Sequence, residues 1–480
     1  MRQHNNLQTE FAPIFKPKSI AVIGATSGQV LLYNAANLFI RTLLDFGYDS
    51  KLYAVGKSGG EIMGVKIYPS VEDIPGEVDY VTVAIPNRFI PQLAEECGRK
   101  GVKFMHLFVS GFGEIADKVG NDLQDEMLRI ARKYNMRIIG PNCMGVYCPG
   151  SKLTMGMNFS STSGDVGFLA QSGGQCIMGI REANQRGIYF SKAISYGNAA
   201  DINECDLIEY MAGDDETKII TAYIEGTTDG PRLFRVLKEA AAKKPVIIFK
   251  CAATDGGTQA AASHTSAIAG SNLTWDSLML QTNVIRVDSV KEMFDVVTVL
   301  KRCPEPKSLN TLVVGHGGGT CVQTSDDCCK AGLKMPVLPE RLRRALMEVY
   351  ITDAGNIFKN PLDINPFMGP EKAIKAFTAV ADWDETDIIV FQISPEQDPL
   401  VPPEFRYKVE TGTFMELAKR SAKPAVVIFN MNTVSTIDEL PDQSFKQLID
   451  SGLAVFPSTD RAALALKRVY LYYQRHHKSG

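Results

Sequence analysis

The sequence predicts an α/β protein built on parallel, doubly wound sheets. Three observations carry that reading. Short apolar runs alternate with longer amphipathic stretches, as strands do when crossover helices join them. The runs stop at Gly, Ser, Pro or Asn, residues that turn a chain sharply. One strand–turn–helix pattern also occurs twice at a constant offset, as a duplicated unit would.

Residues 1–150 read as a first domain. Ser19-Ile-Ala-Val-Ile23 is a buried-strand run that enters Gly24-Ala-Thr-Ser-Gly-Gln, and helix-like residues 33–44 follow. Lys51-Leu-Tyr-Ala-Val55 is the next strand. Tyr80-Val-Thr-Val-Ala-Ile85 stops at Pro86, Phe104-Met-His-Leu-Phe-Val109 stops at Ser110-Gly-Phe-Gly, and Arg137-Ile-Ile139 stops at Gly140-Pro-Asn-Cys143. Residues 89–100 and 117–134 are amphipathic with the helical period. Ligands of such sheets bind at the carboxyl ends of the strands. There the turn of Gly24, Ala25, Thr26 and Ser27 offers backbone N–H groups to a phosphate at a helix start. The turn is not Gly-x-Gly-x-x-Gly, and no acidic residue directly follows the second strand. This weakens an NAD site and leaves other nucleotide-like ligands open, coenzyme A with its ADP-like half among them.

Residues 151–303 read as a second domain. Gly164-Asp-Val-Gly-Phe-Leu-Ala170 is a strand entering Gln171-Ser-Gly-Gly-Gln-Cys176, with a helix to about Gly187. The N–H groups of Ser172, Gly173 and Gly174, with the helix dipole, make an anion site. The alternative is a tight turn in which Ser172 caps the helix and nothing more. Lys218-Ile-Ile-Thr-Ala-Tyr-Ile224 stops at Glu225-Gly226, so Glu225 faces the same rim. Lys244-Pro-Val-Ile-Ile-Phe-Lys250 leads to Ala260-Ala-Ala-Ser-His-Thr-Ser-Ala-Ile-Ala-Gly-Ser271, where small residues surround His264. A histidine near neutral pKa can attack phosphorus as the free imidazole and later release the phosphoryl group. Glu225 can accept its N–H and fix the tautomer. The plainer readings are a hydrogen-bonded His264 at a helix start and a surface carboxylate at Glu225.

Residues 304–480 read as a third domain after the linker Pro304-Glu-Pro306. Asn310-Thr-Leu-Val-Val314 enters Gly315-His-Gly-Gly-Gly-Thr-Cys321. Gly173, Gly174, Cys176 and Gly187 match Gly318, Gly319, Cys321 and Gly332 in order, and His316 falls opposite Gln171. Gly197-Asn-Ala-Ala-Asp-Ile-Asn203 is echoed by Gly355-Asn-Ile-Phe-Lys-Asn-Pro-Leu-Asp-Ile-Asn365. Two copies of one unit would supply two helix starts, each worth about half a positive charge. Together Gly317, Gly318 and Gly319 and the earlier turn could hold a phosphoryl group without a metal, with His316 as a further ligand or merely a lining residue.

Composition excludes several classes. Hydrophobic content of 45% and charged content of 22% suit a soluble globular chain, and a net charge of −3 argues against a general role on nucleic acid or membrane surfaces. No apolar run approaches the ~20 residues that cross a bilayer, and the first ten residues lack the apolar core of a signal peptide. The ten Cys include no Cys-x-x-Cys pair and the six His no His-x-x-x-His pair. No metal site is expected, and free thiols point to the cytoplasm.

Taken together, Ala21-Val-Ile-Gly-Ala-Thr, Val109-Ser-Gly-Phe-Gly-Glu114, Gly140-Pro-Asn-Cys-Met-Gly145, Gln171-Ser-Gly-Gly, Tyr223-Ile-Glu-Gly226, Ser263-His-Thr265 and Asn360-Pro-Leu-Asp363 resemble the NDP-forming acyl-CoA synthetases. That superfamily includes the succinyl-CoA synthetase α subunit and the ADP-forming acetate–CoA ligases, and the resemblance runs from about Phe11 to Leu464. It implies an N-terminal Rossmann-like CoA-binding domain followed by two flavodoxin-like ligase domains. It also implies a phosphohistidine at His264 with Glu225 as its partner, paired phosphate-binding turns at Ser172, Gly173, Gly174 and Gly317, Gly318, Gly319, and Glu114 as an auxiliary carboxylate. Coenzyme A would be held by Gly24, Ala25, Thr26, Ser27, Ile85 and Pro86, with Asn142 and Cys143 near its thiol end. The reaction implied converts acyl-CoA, phosphate and NDP, with ADP expected here, into carboxylic acid, CoA and NTP.

Three departures stand out. The usual Val-Asn-Pro-Lys becomes Val55-Gly-Lys-Ser58, leaving Lys57 to serve as the CoA-binding lysine. Lys-x-Gly-Arg-Ser becomes Lys250-Cys-Ala-Ala-Thr254, and Ser-His-Thr-Gly becomes Ser263-His-Thr-Ser266. The family binds ADP or ATP with Mg on an ATP-grasp module, which no stretch after Phe456 could form. A separate ATP-grasp β subunit and a hetero-oligomer are therefore expected. The rival expectation is a non-catalytic scaffold that binds CoA or acyl-CoA; a plain NAD dehydrogenase is a poorer third.

Overall fold

The computed structural model describes residues 2–28, 34–115, 118–252, 271–350, 357–364, 370–393, 402–429 and 440–479. The chain divides into two compact units, Met1–Met293 and Phe294–Gly480. Among the described residues the first unit holds two sheets and the second unit one.

The first sheet has strands β1 (Ser19–Ile23), β2 (Lys51–Val55), β3 (Glu61–Ile62), β4 (Val65–Tyr68), β5 (Tyr80–Val83), β6 (Phe104–Leu107) and β7 (Arg137–Ile139), in the order β3-β4-β2-β1-β5-β6-β7. Only the β3–β4 hairpin is antiparallel. Setting β3 aside, this is the 3-2-1-4-5-6 order of a dinucleotide-binding fold, with its switch point between β1 and β5. Strands β1, β5 and β6 are buried along their whole length, because helices cover both faces of a parallel sheet. Helices α1 (Arg2–Phe15), α2 (Ala35–Asp45), α3 (Ile90–Lys100) and α4 (Lys118–Lys133) accompany it.

Two strands end earlier than their apolar runs do. After Val83 the Ala84 N–H still donates to Ile23 O at 3.1 Å, but Pro86 has no N–H with which to continue the ladder. After Leu107 the Phe108 N–H reaches Val83 O, and Val109 O accepts instead from Asn142 N–H at 2.9 Å. The ends of both runs thus become the rim of the sheet.

The second sheet contains β8 (Gly145–Tyr147), β9 (Val166–Ala170), β10 (Phe190–Ser195), β11 (Ile219–Ile224), β12 (Val246–Lys250) and β13 (Ile285–Val287), ordered β13-β12-β11-β9-β10-β8. With β8 added antiparallel at the edge, the rest is the flavodoxin-like 2-1-3-4-5 order. Helices α5 (Gly173–Gln185), α6 (Glu204–Gly213), α7 (Gly230–Ala241) and α8 (Asn272–Gln281) follow its strands.

These two sheets are tied together by backbone. Asn198 N–H donates to Pro141 O (3.0 Å), Ala200 N–H to Gly140 O (3.1 Å) and Ile202 N–H to Ile138 O (3.2 Å). Asp201 accepts from Arg137 Nε and from Ile138 N–H at 3.0 and 2.8 Å. Helix α1 adds an apolar strap, with Phe15 stacked on Tyr210 at 5.1 Å. Lys192, buried beneath that pair of rings, is held by Asp214 and Glu216.

The second unit repeats the pattern. Helix α9 (Val290–Arg302) precedes β14 (Thr311–Gly315), β15 (Ile357–Phe358), β16 (Leu362–Asp363), β17 (Ile388–Ile393), β18 (Ala425–Phe429) and β19 (Ala454–Phe456), in the order β15-β16-β14-β17-β18-β19. It is again 2-1-3-4-5 with one antiparallel edge strand. Helix α10 (Gly318–Ala331) starts at the turn matching that of α5. Cys176 and Cys321 are both buried, and Gly187 and Gly332 both take left-handed φ, +65° and +95°. Residues 355, 356 and 365 of the echoed segment lie outside the described residues. The fold is therefore mixed α/β, with three parallel-sheet modules of the order expected.

Gly197 is the tightest point of the junction. Its φ is +54°, and a Cβ there would stand 2.2 Å from Pro141 O. Gly59 also has positive φ, +61°, with open space around it. Gly197→Ala should cost about 2–4 kcal/mol, strain and overlap together, against about 1 kcal/mol for Gly59→Ala. Chemical denaturation of the two variants checks this; equal losses would contradict it.

Candidate active site

The first turn is fixed by side chains that reach back to it. Gly24 has φ +105°, and a Cβ there would lie 2.6 Å from Ala84 O. Gly24 and Ala25 N–H both donate to Val55 O. Asn37, fully buried, accepts from Thr26 N–H at 3.1 Å and donates to Thr26 O at 3.0 Å. Asn34 caps α2 and donates to Thr26 Oγ1. Ser27 N–H is taken by Ser58 Oγ at 2.9 Å. Gly24, Ala25, Thr26, Lys57, Ile85, Pro86 and Phe89 line a groove of about 500 Å³ at the switch point. Lys57 lies over the Phe89 ring at 5.7 Å.

A second, larger cavity of about 680 Å³ adjoins it, sharing Gly24, Ile85 and Pro86. Its other walls are the β6 exit (Phe108, Val109, Ser110), the loop Asn142, Cys143, Met144, and Gly173 and Gly174 from the next sheet. The loop follows the cis Gly140–Pro141 bond, and Asn142 has φ +56°. Cys143 is buried, and burial pushes its thiol pKa up. His106, also buried, brings Nε2 within 3.1 Å of the Cys143 carbonyl, and Phe39 and Tyr80 flank its ring. Burial takes the His106 pKa down to about 4, opposed by that hydrogen bond. His106 is thus neutral at pH 7 and donates to the loop.

Glu114 is engaged locally. It accepts from Gly111 N–H and Phe112 N–H, and from Asn198 Nδ2 at 2.6 Å. The carboxylate closes its own loop and joins it to the second sheet.

At the switch point of the second sheet, Ser172 caps α5 and accepts from Gln175 N–H at 3.4 Å. Gly173 and Gly174 are the first two helical residues, and both border the cavity. A Cβ on Gly173 would lie 2.7 Å from Met144 Cγ, so a side chain there would push the Met144 side chain from its place. The Ser172 cap and the anion-site reading are compatible: the side chain meets one amide while the helix start still faces the cavity. Gln171, buried, accepts from Glu225 N–H (2.8 Å) and Gly226 N–H (3.3 Å). It thereby holds Glu225 at the rim beside the Ser172 turn.

Next to Glu225, Ile224 pairs with Lys250 across β11 and β12. Lys250 is buried; its ammonium donates to Cys251 O and lies 5.4 Å from the Trp275 ring. Burial lowers its pKa, with Cys251 and Glu225 opposing. His264 lies outside the described residues.

The turn of the third sheet is built differently. Gly317 caps α10 with φ +96°, and its N–H donates to Asp363 Oδ1 at 3.0 Å. His316 Nδ1 lies 3.8 Å from the same oxygen. A carboxylate thus meets the Gly317 amide at the cap of this helix. Gly318 and Gly319 are exposed.

Sequence reading missed the roles of His106, Gln171 and Asn198, which bond segments far away in sequence, and of Asn34 and Asn37, which reach back to the Thr26 turn. Lys250 left a signal, a lysine closing an otherwise apolar strand run. Among the described residues no group of three or more His, Cys, Asp or Glu is arranged to hold a metal, and no helix is long and apolar enough to cross a membrane.

Comparison with known proteins agrees with this architecture. Residues 18–149 match the family model of a CoA binding domain, and residues 163–300 that of a succinyl-CoA ligase like flavodoxin domain. The alpha subunit of ADP-forming acetate–CoA ligase I from Pyrococcus furiosus is 32% identical over 469 residues, 95% of this chain and 96% of that one. ADP-forming 4-hydroxybutyrate–CoA ligase from Nitrosopumilus maritimus is 34% identical over 74% of this chain and 50% of its own length. The dinucleotide-forming acetyl-coenzyme A synthetase 1 of Ca. Korarchaeum cryptofilum, solved with phosphate and ADP, superposes with a TM-score of 0.80 at 28% identity, covering 97% of both chains. A CoA-binding module followed by a ligase module defines the class, an acid–CoA ligase. The chain belongs to the NDP-forming acyl-CoA synthetases, the family of the ADP-forming acetate–CoA ligases.

The sign of the His106 effect on stability follows from its depressed pKa. Unfolded histidine titrates near 6.5, so between about pH 6.5 and 4 the unfolded chain takes up a proton that the folded chain does not. Stability is fully present above that window and falls as pH drops through it, by up to about 3 kcal/mol. His106→Gln, which keeps a donor but cannot titrate, should flatten the loss of melting temperature between pH 7 and 4.5. An unchanged slope would contradict the assignment.

Proposed function

We propose that this chain is the α-type subunit of an ADP-forming acyl-CoA synthetase, acting through an acyl phosphate and a phosphohistidine at His264. The observation that carries the proposal is the single cavity shared by Gly24, Ile85 and Pro86, the Asn142–Cys143 pair and the helix start at Gly173 and Gly174. One wall suits the thiol end of CoA and the opposite wall suits a phosphate. Gly24, Ala25, Thr26, Ser27, Lys57, Ile85 and Pro86 hold the CoA nucleotide and the upper pantetheine arm.

A phosphate oxygen attacks the thioester carbonyl carbon, the C–S bond breaks, and CoA leaves as thiolate. An imidazole nitrogen of His264 then attacks phosphorus, and the carboxylate leaves as the free acid. Glu225 accepts the other ring N–H and stabilises the imidazolium character that develops. The dipole and amides at Ser172, Gly173 and Gly174 offset the charge on the phosphoryl oxygens. The turn of Gly317, Gly318 and Gly319 is the second phosphate-binding helix start. Glu114 positions the Gly111–Phe112 loop and Asn198 beside the site. An NDP oxygen finally attacks phosphorus and the N–P bond breaks.

ADP with Mg²⁺ belongs in this scheme to an ATP-grasp β subunit on a separate chain, in a cytoplasmic hetero-oligomer. The match to a Pyrococcus furiosus chain named subunit alpha over 96% of its length supports that arrangement. The domain limits 1–150, 151–303 and 304–480 belong to the same proposal.

The phosphohistidine can be tested on this chain alone. Incubation with ³²P-labelled acetyl phosphate should give an acid-labile, base-stable label, absent from His264→Ala and reduced at least tenfold in Glu225→Gln. Equal label on His264→Ala would end the assignment. A wild-type chain that binds CoA yet labels with neither acetyl phosphate nor butyryl phosphate would favour the non-catalytic scaffold.

A further inference from the structure

The acyl group has only one place to be when it changes hands. In the reaction just proposed, on which this inference rests, its carbonyl carbon passes from the CoA sulfur to a phosphate oxygen. The sulfur end is assigned to Asn142 and Cys143, and the phosphate to the amides at Gly173 and Gly174. The side chain that stands between those two walls is Met144. It follows Cys143 directly, and its Cγ would lie 2.7 Å from a Cβ on Gly173. Its own N–H donates to Ser195 Oγ at 3.2 Å, which fixes where the residue leaves the backbone.

The surroundings define the chemistry. Met144 shares its cavity with Ile85, Val109 and Phe108, and Phe108 is braced edge-on by Phe39 at 5.3 Å. A thioether side chain with three rotatable bonds adapts to apolar groups of different shape. A second carboxylate placed against it would lose hydration with little return. The cavity, about 680 Å³, falls well inside the range that encloses drug-sized ligands.

We infer that Met144 forms the wall of an acyl subsite, with Phe108 and Ile85, and that the subsite selects an apolar monocarboxylic acyl group longer than acetyl. Met144 is a specificity residue; the bond-making groups are elsewhere.

Binding by calorimetry tests this without any turnover, using CoA and acetyl-, butyryl-, hexanoyl- and succinyl-CoA. Wild-type protein should bind butyryl-CoA about three- to tenfold more tightly than CoA, as burial of a few methylenes gives, and succinyl-CoA no more tightly than CoA. Met144→Ala should lose at least threefold of the butyryl preference and shift the optimum towards hexanoyl. Its affinity for CoA itself should stay within twofold, which also reports an intact fold. Met144→Gln, similar in size but polar, serves if the alanine variant does not fold, and should lose the butyryl preference likewise. Unchanged acyl-to-CoA ratios in the variants, or a wild-type preference for succinyl-CoA, would overturn the inference. These ratios can fail while His264 still labels, and labelling can fail while the ratios hold, so the two ideas fall separately.

Discussion

The close approach of two backbones organises the functional half of this chain. The loop from Gly140 to Met144 leaves the first sheet and lies against the second, where Gly197 and Gly173 have no side chains to keep it away. Hydrogen bonds from Asn198, Ala200 and Ile202 lock the approach. Without it the switch point of the dinucleotide-type sheet and the helix start of the flavodoxin-like sheet would be separate clefts. With it they are opposite walls of one cavity.

The polar support of that cavity is mostly indirect. Gln171 positions the Glu225 backbone, His106 holds the Cys143 carbonyl, and Glu114 ties its loop to Asn198. Each places a neutral or already paired group near the wall rather than a free cation, so the positive field comes chiefly from the helix start itself. The duplicated turn in the third sheet has the same strand–turn–helix form, but Asp363 meets its Gly317 amide. The matching aspartates differ in partner, since Asp201 holds Arg137 and the Ile138 amide. At the third sheet the carboxylate takes the Gly317 amide, while Gly318 and Gly319 stay exposed.

Much of this was legible in the sequence because it is local. The apolar runs, the Gly-rich strand exits and the Ser172 cap each depend on residues a few positions apart. The offset between Gly173 and Gly318 exposed the duplication because a helix start and its packing need Gly at fixed spacing. Strand ends were read two residues too long at Ile85 and Val109, where the rim recruits the chain for other contacts. The supporting shell was not legible. Gln171 to Glu225, His106 to Cys143 and Asn198 to Glu114 are pairings between distant segments, and a lone His inside Phe-Met-His-Leu looks like any strand residue. Glu114 was marked by its motif, yet its hydrogen bonds to Gly111 and Phe112 appear only once the loop is folded.

The central claim is that thiol and phosphate meet in one cavity across the Met144 loop. A crystal structure of the chain with CoA and inorganic phosphate tests it most directly. The account predicts the CoA sulfur beside Asn142 and Cys143 and the phosphate on the Gly173 and Gly174 amides, close enough for one acyl carbon to span them. Phosphate bound elsewhere while CoA fills the cavity, or CoA with its thiol directed away from the α5 start, would contradict it.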